Sequence, residues 1–547
     1  MPRERHWPWI PRGARLYRCE PTAPLRAAPL PGDPDPAVSA EGPLHAAIPN
    51  PTGRPGRRVF ASTTSVVIAN AVVALLGTIA LHQMTHALGA SSYGEFVTVL
   101  NLVSVAMLFA DMGVNTFSGR EIARDRTKAA EVLGQNLGLR LATSVVIVPL
   151  TIVVGLGIYS GSSSALRLGI VTVALALPFE AFRAVSLSYY VATIQNYKTA
   201  VINVVNQLFY VGGVVVALHL GTGLNGCYVA YLIAMALTGL TAYVAVCRSV
   251  PFRPRLATGS WGRILRQSMS IGSIQIVNVL YLRTNVLMLS LLSSSHTVAQ
   301  YGVAAMIVTF LLVVPNAYMT SMIPVLVASS EDRLTSTVNT AADYMATVGV
   351  IAVVGTACLG ATVIQVLAGN QFRGAVPILS VLSLSVLFTS ITSVFTYSSF
   401  ARDHHHRLLA VSAIGLAANI GLDAVFIPII HGQGAAVATV IVEAFILLGT
   451  YAIFRSRVGR HFTEFARILR ILLAGGLTAT LGWWRLGFGV VHTLSDFLLW
   501  LVILPVAYFL IAWVLRAVPP AMQGPAGIRR ALGALTGRAQ PPVAGGD

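Results

Sequence analysis

The chain has 547 residues, of which 55% are hydrophobic and only 10% are charged, and its mean hydropathy is +0.73. This composition excludes an ordinary soluble globular protein and predicts a polytopic membrane protein. The formal net charge of +17 would suggest nucleic-acid binding in a soluble chain. Here the basic residues lie in short segments between apolar runs, where they orient membrane helices. We therefore expect no nucleic-acid partner.

The sequence carries no motif for a cofactor, a metal ion or hydrolytic chemistry. Its four cysteines are scattered without a CxxC pair, which indicates neither a disulfide framework nor a metal site. Phosphate-cradling GxxxxGKS/T, zinc-binding HExxH and nucleophile-bearing GxSxG motifs are also absent. We expect a protein without cofactor, metal ligands or catalytic residues.

The chain divides into a polar start and a long series of apolar windows. Residues 1–58 are rich in proline and arginine and lack an apolar signal-peptide core, so they predict a disordered cytoplasmic tail. About fourteen windows then follow that are long enough to cross a bilayer. The predicted spans are 59–84, 93–118, 136–159, 168–193, 199–219, 225–247, 268–292, 300–328, 343–368, 376–400, 408–430, 435–454, 468–484 and 495–516.

The basic residues predict how these spans are oriented. When the loops are assigned to alternate sides, about 31 of the 37 lysines and arginines fall on one side, which the positive-inside rule makes cytoplasmic. Both termini are then cytoplasmic, and the expected location is the cell (inner) membrane. The exceptions are Arg167, Arg373 and Arg485 on the other side and Arg140, Arg183 and Arg283 within spans.

The spans form a repeat that predicts the architecture. The first six start positions recur about 208 residues later in the next six, with local matches such as Tyr93-Gly94 and Tyr301-Gly302. An even number of helices in each repeat predicts two parallel six-helix lobes around a central cavity. The expected fold class is an all-α membrane protein. The predicted units are an N-lobe (59–247), a cytoplasmic linker (248–267), a C-lobe (268–455), two further helices (456–517) and a cytoplasmic tail (518–547).

The predicted external loops are too short for an enzyme site. The longest has about ten residues, whereas an external glycosyltransferase or polymerase needs positioned acids in a sizeable loop. Only Glu95 and Asp496 lie at the external ends of spans. The loops therefore favour a protein that moves a substrate through its centre.

Residues 88–124, LGASSYGEFVTVLNLVSVAMLFADMGVNTFSGREIAR, resemble polysaccharide and O-antigen flippases of the multidrug/oligosaccharidyl-lipid/polysaccharide exporter superfamily. In that family the first two helices are joined by an LG…YG.F turn, and the second helix ends in D.G followed by a basic R.IAR. Residues 281–312 are similar to the family's seventh and eighth helices. Family members commonly carry aspartate where this chain has Arg283. Fourteen helices are typical of the lipid II flippase branch, whereas many O-antigen flippases have twelve.

The resemblance implies translocation of an undecaprenyl-pyrophosphate-linked oligosaccharide from the cytoplasmic to the outer leaflet. The implied partners are the lipid-linked substrate, membrane lipid, and the glycosyltransferases and polymerase of the same pathway.

Arg283 is the leading candidate for substrate binding. It lies roughly 20 Å along a span that starts at residue 268, which is too deep for easy snorkelling. A guanidinium at the bilayer centre costs about 2.5–3.5 kcal/mol on insertion scales, so a compensating interaction is needed. That interaction is either the pyrophosphate of the substrate, which arginine binds bidentately, or an ion pair with Glu443 or Asp423.

Four acids and a second arginine are further candidates. Glu180 and Arg183 lie three residues apart and can pair along one helix face, and Arg183 could also contact phosphate. Asp423 and Glu443 are single acids within predicted spans, where each could carry a coupling proton or hold a structural partner. Asp111, near the cytoplasmic end of the second span, is expected to form a gate contact or a cap.

Several neutral polar residues lie in the spans, and most are expected to join helices by hydrogen bonds. A minority on the first and seventh spans could contact sugar hydroxyls. These candidates are Asn70, Gln275, Asn278 and Asn285.

Two other functions compete with a flippase. A secondary exporter of drugs or other small molecules from the same superfamily should have acids rather than arginines in its cavity. A membrane polysaccharide polymerase or ligase would process sugar chains without moving them.

Overall fold

The computed structural model describes residues 55–256, 258–329, 331–400, 405–458, 465–486 and 494–518. Within these ranges the regular structure consists of α-helices and two short 3-10 turns. The helices are α1 (Pro55–Asp111), α2 (Val114–Arg124), α3 (Ala129–Ile158), α4 (Ser164–Ala174), α5 (Leu177–Ala192), α6 (Asn196–His219), α7 (Gly223–Cys247), α8 (Thr258–Leu292), α9 (Ser295–Leu311), α10 (Val313–Ala328), α11 (Glu331–Ala368), α12 (Ala375–Phe400), α13 (His405–Val458), α14 (Phe465–Leu486) and α15 (Leu494–Val514). The predicted tails fall almost wholly outside the described residues.

Each predicted span coincides with a helical segment. By length and composition, nine helices in the described ranges could cross a membrane, and the pair α4 and α5, bent by 41°, makes a tenth. Two of the nine, α1 and α13, each contain two predicted spans. α1 breaks at Gly89, whose φ of 78° suits glycine, and α13 breaks at Ile430 and His431. The remaining predicted spans correspond to α8 and α14, which carry more polar residues. The predicted fold class is confirmed.

The bundle consists of two lobes, α1–α7 and α8–α13, with α14 and α15 attached to the second lobe. Apolar side chains of both lobes meet in one large core, where Val99 and Tyr228 of the first lobe pack in the same cluster as Leu289 and Tyr301 of the second. A separate core joins α11 and α12 to α14 and α15. Because an isolated helix in lipid satisfies its own backbone, such side-chain packing decides how the helices assemble.

The lobes contact each other at the end away from the basic loops, which we call the opposite end. The Tyr159 hydroxyl at the end of α3 lies 2.5 Å from Ser290 Oγ on α8. Gly94 packs directly on the backbone of Ser295, leaving no space for a Cβ atom. The Gln371 side chain after α11 donates a hydrogen bond to the backbone oxygen of Thr85 at 2.6 Å. These contacts hold the lobes together at the opposite end.

A second contact joins the lobes toward the basic end, where α2, α3 and the linker between the lobes meet. Gly113, between α1 and α2, has a φ of 78°, and a Cβ atom there would lie 2.9 Å from the Cα of Gly272 on α8 and 2.8 Å from the backbone oxygen of Ser268. Only glycine allows both the conformation and the close approach. The space between the lobes is therefore bridged at both ends.

The linker between the lobes has no regular structure over residues 251–256 and lies across the start of α3. The Arg255 backbone N–H donates to the Gly134 oxygen at 2.9 Å, and the Arg255 carbonyl presses on Gly138. Phe252 is buried, and its backbone oxygen accepts a hydrogen bond from the Tyr243 hydroxyl at 3.0 Å. The first lobe thereby anchors the chain just before α8 begins.

Replacing Gly138 with alanine should lower stability by about 1–3 kcal/mol, because the added Cβ meets the Arg255 backbone, which cannot move without breaking its bond to Gly134. The measurement is thermal unfolding of the purified protein in detergent. Gly157→Ala is the matched control on the same helix, where a Cβ meets open space and alanine should be neutral or stabilising. Equal unfolding temperatures for the two variants would show that the linker is not clamped there.

Candidate substrate cavity

A cavity of about 340 Å³ lies between the lobes and is bordered by both parts of α1 and by α6, α7, α8 and α9. Its border combines aliphatic and aromatic side chains with a few polar groups, as small-molecule sites do. The polar and aromatic residues that border it are Tyr93, Phe96, Asn101, Ser104, Tyr210, Tyr231 and Arg283. Among the described residues that border the cavity, Arg283 is the only one with a full charge.

The structure places Arg283 in this cavity with an amide as its partner. Arg283 Nη1 donates a hydrogen bond to Asn101 Oδ1 at 3.2 Å, from α8 to α1. The Asn101 amide is held in turn, because its Nδ2 donates to the Val97 backbone oxygen at 2.8 Å. No carboxylate in the described ranges forms an ion pair with Arg283. The alternative interpretation, a pair with Glu443 or Asp423, does not occur between these side chains.

The other two arginines predicted in spans are neutralised by acids. Arg183 binds Glu180 through two parallel hydrogen bonds, with Nε at 2.7 Å and Nη2 at 2.9 Å, and its Nη1 donates to Asn203 at 3.0 Å. This is the bidentate geometry that makes arginine–carboxylate pairs strong. Glu180 and Arg183 both lie within electrostatic range of Tyr231, and so does Arg283. The structural pairing of Glu180 with Arg183 is therefore present beside the cavity.

Asp111 pairs with Arg140 of α3 near the basic end. Arg140 Nη1 lies 3.0 Å from Asp111 Oδ1, and Arg140 is only 3% exposed. The pair sits next to Gly113, whose contact with α8 joins the lobes. Asp111 binds within its own lobe rather than across the gap, and its predicted role as a gate contact or cap stays a prediction.

The second lobe contains a buried polar cluster, which we call the acid cluster and define as Tyr281, Asn285, Asn419, Asp423 and Glu443. Tyr281 donates to Glu443 at 3.1 Å. Asp423 is 0% exposed, and neither of its carboxylate oxygens accepts a hydrogen bond from a described residue. Both polar atoms of Asn419, one helical turn away, are likewise buried without such a partner. Burying an ionised carboxylate without a partner is costly, and the coupling role predicted for Asp423 and Glu443 stays a prediction.

The predicted neutral contacts are dispersed. Asn285 is buried in the second lobe and donates to Tyr301 at 2.9 Å and to Thr439 at 2.8 Å. Asn70 and Asn278 are exposed and do not border the cavity. The side chain of Gln275 lies outside what the structure describes.

α8 connects the cavity with the acid cluster. Tyr281 and Asn285 are four residues apart and share one face of this helix, which points into the second lobe. Arg283 lies midway between them in sequence, so it projects from the opposite face, toward Asn101 in the first lobe. One helix therefore carries the cavity's charge on one side and two acid-cluster residues on the other.

Sequence reasoning missed three residues that surround Arg283, namely Asn101, Tyr210 and Tyr231. Each lies in a predicted span, and Asn101 could have been found as a polar residue at mid-span. Hydropathy alone could not show that these positions face a common cavity, because they come from three different helices.

The fold and the site define a helical membrane protein with a cavity between two lobes that is bordered by an arginine. A family model described as polysaccharide biosynthesis protein matches residues 59–330. The match spans just under half of the chain and agrees with the sequence resemblance to polysaccharide flippases. No curated protein matches the chain in a sequence search.

Solved structures share the fold at low sequence identity. The lipid II flippase MurJ in an inward closed conformation matches with a TM-score of 0.65 and 15% identity, covering 83% of this chain and 98% of that one. An outward-facing multidrug resistance MATE family transporter matches with 0.54 and 16%, covering 75% and 97%. A superfamily transporter from Pyrococcus furiosus, whose title reports a binding pocket of reversed polarity, matches with 0.53 and 15%, covering 74% and 96%.

A double-mutant cycle on Asp111 and Arg140 should give a coupling free energy of about 1.5–3 kcal/mol, because Asp111→Ala leaves a buried guanidinium without its partner and the double variant removes both charges. The measurement is thermal or denaturant unfolding in detergent. Glu121 and Arg124 form an exposed pair at 3.6 Å and serve as the control cycle, with coupling of about 0–1 kcal/mol. Equal coupling in the two cycles would contradict a structural role for the Asp111 pair.

Proposed function

We propose that the protein is a flippase that moves a polyprenyl-pyrophosphate-linked oligosaccharide across the cytoplasmic membrane by alternating access, for polysaccharide biosynthesis. The observation that carries the proposal is Arg283, a cation between the lobes whose described partner is a neutral amide. An anionic group passing through the cavity would complete its coordination. The family match to polysaccharide biosynthesis proteins supports the sugar part of the substrate.

The guanidinium suits a phosphate cargo. Its planar fork binds two phosphate oxygens at once, and a charge-assisted bond of this kind is stronger than the neutral bond to Asn101. The Asn101 contact holds the guanidinium without neutralising it, so binding of an anion would have a net electrostatic gain. A carboxylate in the place of Asn101 would compete with the substrate, and none of the described bordering residues is acidic.

The remaining predicted contacts have different positions in this scheme. Arg183 is proposed as a second phosphate contact, which it could make only by releasing part of its bidentate bond to Glu180. Asn70, Gln275 and Asn278 are proposed as sugar contacts in a state that opens further along the bundle. Asn285 is proposed to orient α8 through Tyr301 and Thr439.

Transport requires the two bridged ends to open alternately. The contacts of Tyr159 with Ser290 and of Gly113 with Gly272 would separate one at a time as the lobes rock. The distribution of basic residues supports an orientation with both termini in the cytoplasm. The prenyl tail would remain in the lipid while the polar head crosses.

Asp423 and Glu443 are proposed to couple transport to a cation or proton. The acid cluster is buried and lies on the far side of α8 from Arg283. A change of charge at the cluster would alter how α8 packs against α13, and α8 carries the substrate-binding arginine. This arrangement connects the energy source with the cavity through one helix.

A drug exporter is the second candidate, because multidrug resistance MATE transporters share the fold. Cationic drugs would be drawn to an acidic cavity, whereas the described cavity border carries an arginine and no acid. The sign of the charge therefore favours the anionic cargo. A polymerase or ligase would need a reactive group in the cavity, and neither the family match nor the shared fold points to one.

Arg283→Ala should reduce substrate translocation roughly 10- to 100-fold, since it removes a charged hydrogen-bonding group from the phosphate. The measurement is the amount of lipid-linked oligosaccharide that becomes accessible on the far side of proteoliposomes. Arg283→Lys keeps the charge but not the bidentate fork, and should retain partial activity. Arg373→Ala, at an exposed arginine of the opposite end, is the control and should be active. Normal transport by Arg283→Ala would remove the anchor role.

Asp423→Asn and Glu443→Gln should abolish the stimulation of transport by an imposed ion or pH gradient while leaving substrate binding largely intact, because they remove the titratable or cation-binding charge behind α8. Transport is measured with gradients of protons and of sodium applied separately. Asp125→Asn is the control, since Asp125 is an exposed acid beside Thr127. Unchanged gradient dependence in both cluster variants would show that coupling occurs elsewhere.

A further inference from the structure

Aromatic rings of the first lobe form one side of the cavity. Phe96 stacks on Tyr210 with ring centroids 6.4 Å apart and an interplanar angle of 12°. Tyr210 meets Tyr231 edge to face at 6.1 Å. Tyr228 supports Phe96 from behind at 5.6 Å. We call Phe96, Tyr210 and Tyr231 the aromatic wall, and all three border the cavity.

The rings of the aromatic wall pack against one another, but other side chains do not fill the space in front of them. A core that only needed apolar volume would close around these rings, whereas here they border about 340 Å³ of space. The Tyr210 hydroxyl has only a weak contact, with Met84 Sδ at 3.6 Å. The Tyr231 hydroxyl makes no hydrogen bond to a described residue, and unlike that of Tyr228 it is not sealed in the interior. The wall thus offers ring surface and at least one available phenol group.

The charge of Arg283 lies next to the wall. Tyr231 is within electrostatic range of Arg283, and both side chains border the same cavity. A phosphate held by Arg283 would therefore have the aromatic wall beside it. Asn101 and Ser104 border the same space and supply short polar groups. Charge, aromatic surface and neutral polar groups together match the chemistry of a phosphorylated sugar.

We propose that the aromatic wall is the subsite for the pyranose ring attached directly to the phosphate that Arg283 binds. The C–H bonds on a sugar-ring face are complementary to the negative face of an aromatic ring, and hydroxyls at the rim can bond Tyr231 or Asn101. The cavity volume lies at the lower end of small-molecule sites, so it accommodates the first sugar, with the remainder of the oligosaccharide extending beyond. This subsite rests on the proposed function.

The test compares two soluble probes of equal charge that differ only in the group on the outer phosphate. These are citronellyl pyrophosphate capped with a methyl group and citronellyl pyrophosphate capped with N-acetylglucosamine, with binding to the purified full-length protein measured by calorimetry. In the wild type the sugar should tighten binding by about 3- to 10-fold, the range given by a favourable aromatic contact. Tyr231→Leu and Tyr210→Leu should reduce this ratio toward one, and Tyr231→Phe should preserve most of it.

Two controls separate the subsite from the phosphate anchor. Arg283→Gln should weaken binding of both probes and leave their ratio unchanged. Tyr197→Leu changes an exposed tyrosine on α6, the helix that also carries Tyr210, and should alter neither affinity nor ratio. Failure of the wild type to bind either probe would reject the proposed function. Equal binding of both probes, with Arg283 still required, would reject only the subsite.

A second measurement keeps the proposal testable if the leucine variants do not fold. Tyr231→Trp keeps an aromatic ring and provides a fluorescent reporter at the wall. Its emission should shift with the glycosylated probe and not with the methyl-capped probe. The same response to both probes, or a sugar-dependent ratio that persists in both leucine variants, would overturn the assignment.

Discussion

The positive charge of Arg283 is held between the two lobes by a neutral amide, and the character of the cavity depends on that single interaction. The two other arginines predicted within spans have carboxylate partners instead. Arg140 is paired with Asp111 and Arg183 with Glu180, so the bundle can neutralise a guanidinium where it is structural. At Arg283 the described partner is Asn101. A charge that stays uncompensated in a low-dielectric setting attracts an anion far more strongly than the same charge in water.

The two lobes divide the chemistry between them. The first lobe contributes aromatic rings and the Asn101 amide, whereas the second contributes the arginine and, behind it, the buried acids. α8 joins these parts, because Tyr281 and Asn285 lie on the face of this helix that points into the second lobe. Arg283 lies on the opposite face, toward the first lobe. Asp423 and Glu443 are therefore only one helix away from the cavity. This separation keeps the acids from neutralising Arg283 directly.

Close approach of backbone at the lobe contacts explains why glycine stands at several of them. Gly113 on Gly272 and Gly94 on the chain at Ser295 let the backbones of the two lobes approach closely. These approaches are only part of the contact between the lobes, which also share a packed apolar core. The linker is different, because Gly134 and Gly138 accept the backbone of Arg255 on α3. Glycine therefore serves two kinds of contact, one between the lobes and one that anchors the linker.

Much of the fold was predictable from the sequence. Runs of apolar residues predicted the helices, since a chain in lipid must satisfy its backbone hydrogen bonds internally. Merged helices such as α1 hide two of the predicted spans, but the glycine at position 89 marks the break. The repeat predicted two lobes because equal hydropathy patterns form equal helical units. The depth of Arg283 was also readable, because helical rise converts residue number into distance.

The candidate site was only partly predictable. Arg283 and the Glu180–Arg183 pair were recognised because one is a charge within a span and the other is a pair spaced for one helix face. Asn101 lies 182 residues from Arg283, and nothing local connects them. Likewise, Asn285 was expected at the cavity but points into the second lobe. It lies two residues after Arg283 on α8, and side chains two residues apart on a helix point to nearly opposite sides.

The sequence by itself determined the class of the protein, the positions of its apolar helical segments and the presence of a cation within them, since these follow from local hydropathy and charge. Only the tertiary structure decided which partner that cation has, which rings surround it and where the acids lie. Those properties depend on the rotation of each helix about its axis and on contacts between helices distant in the chain. Hydropathy constrains neither, because a span that is apolar nearly all round can present any face to its neighbours.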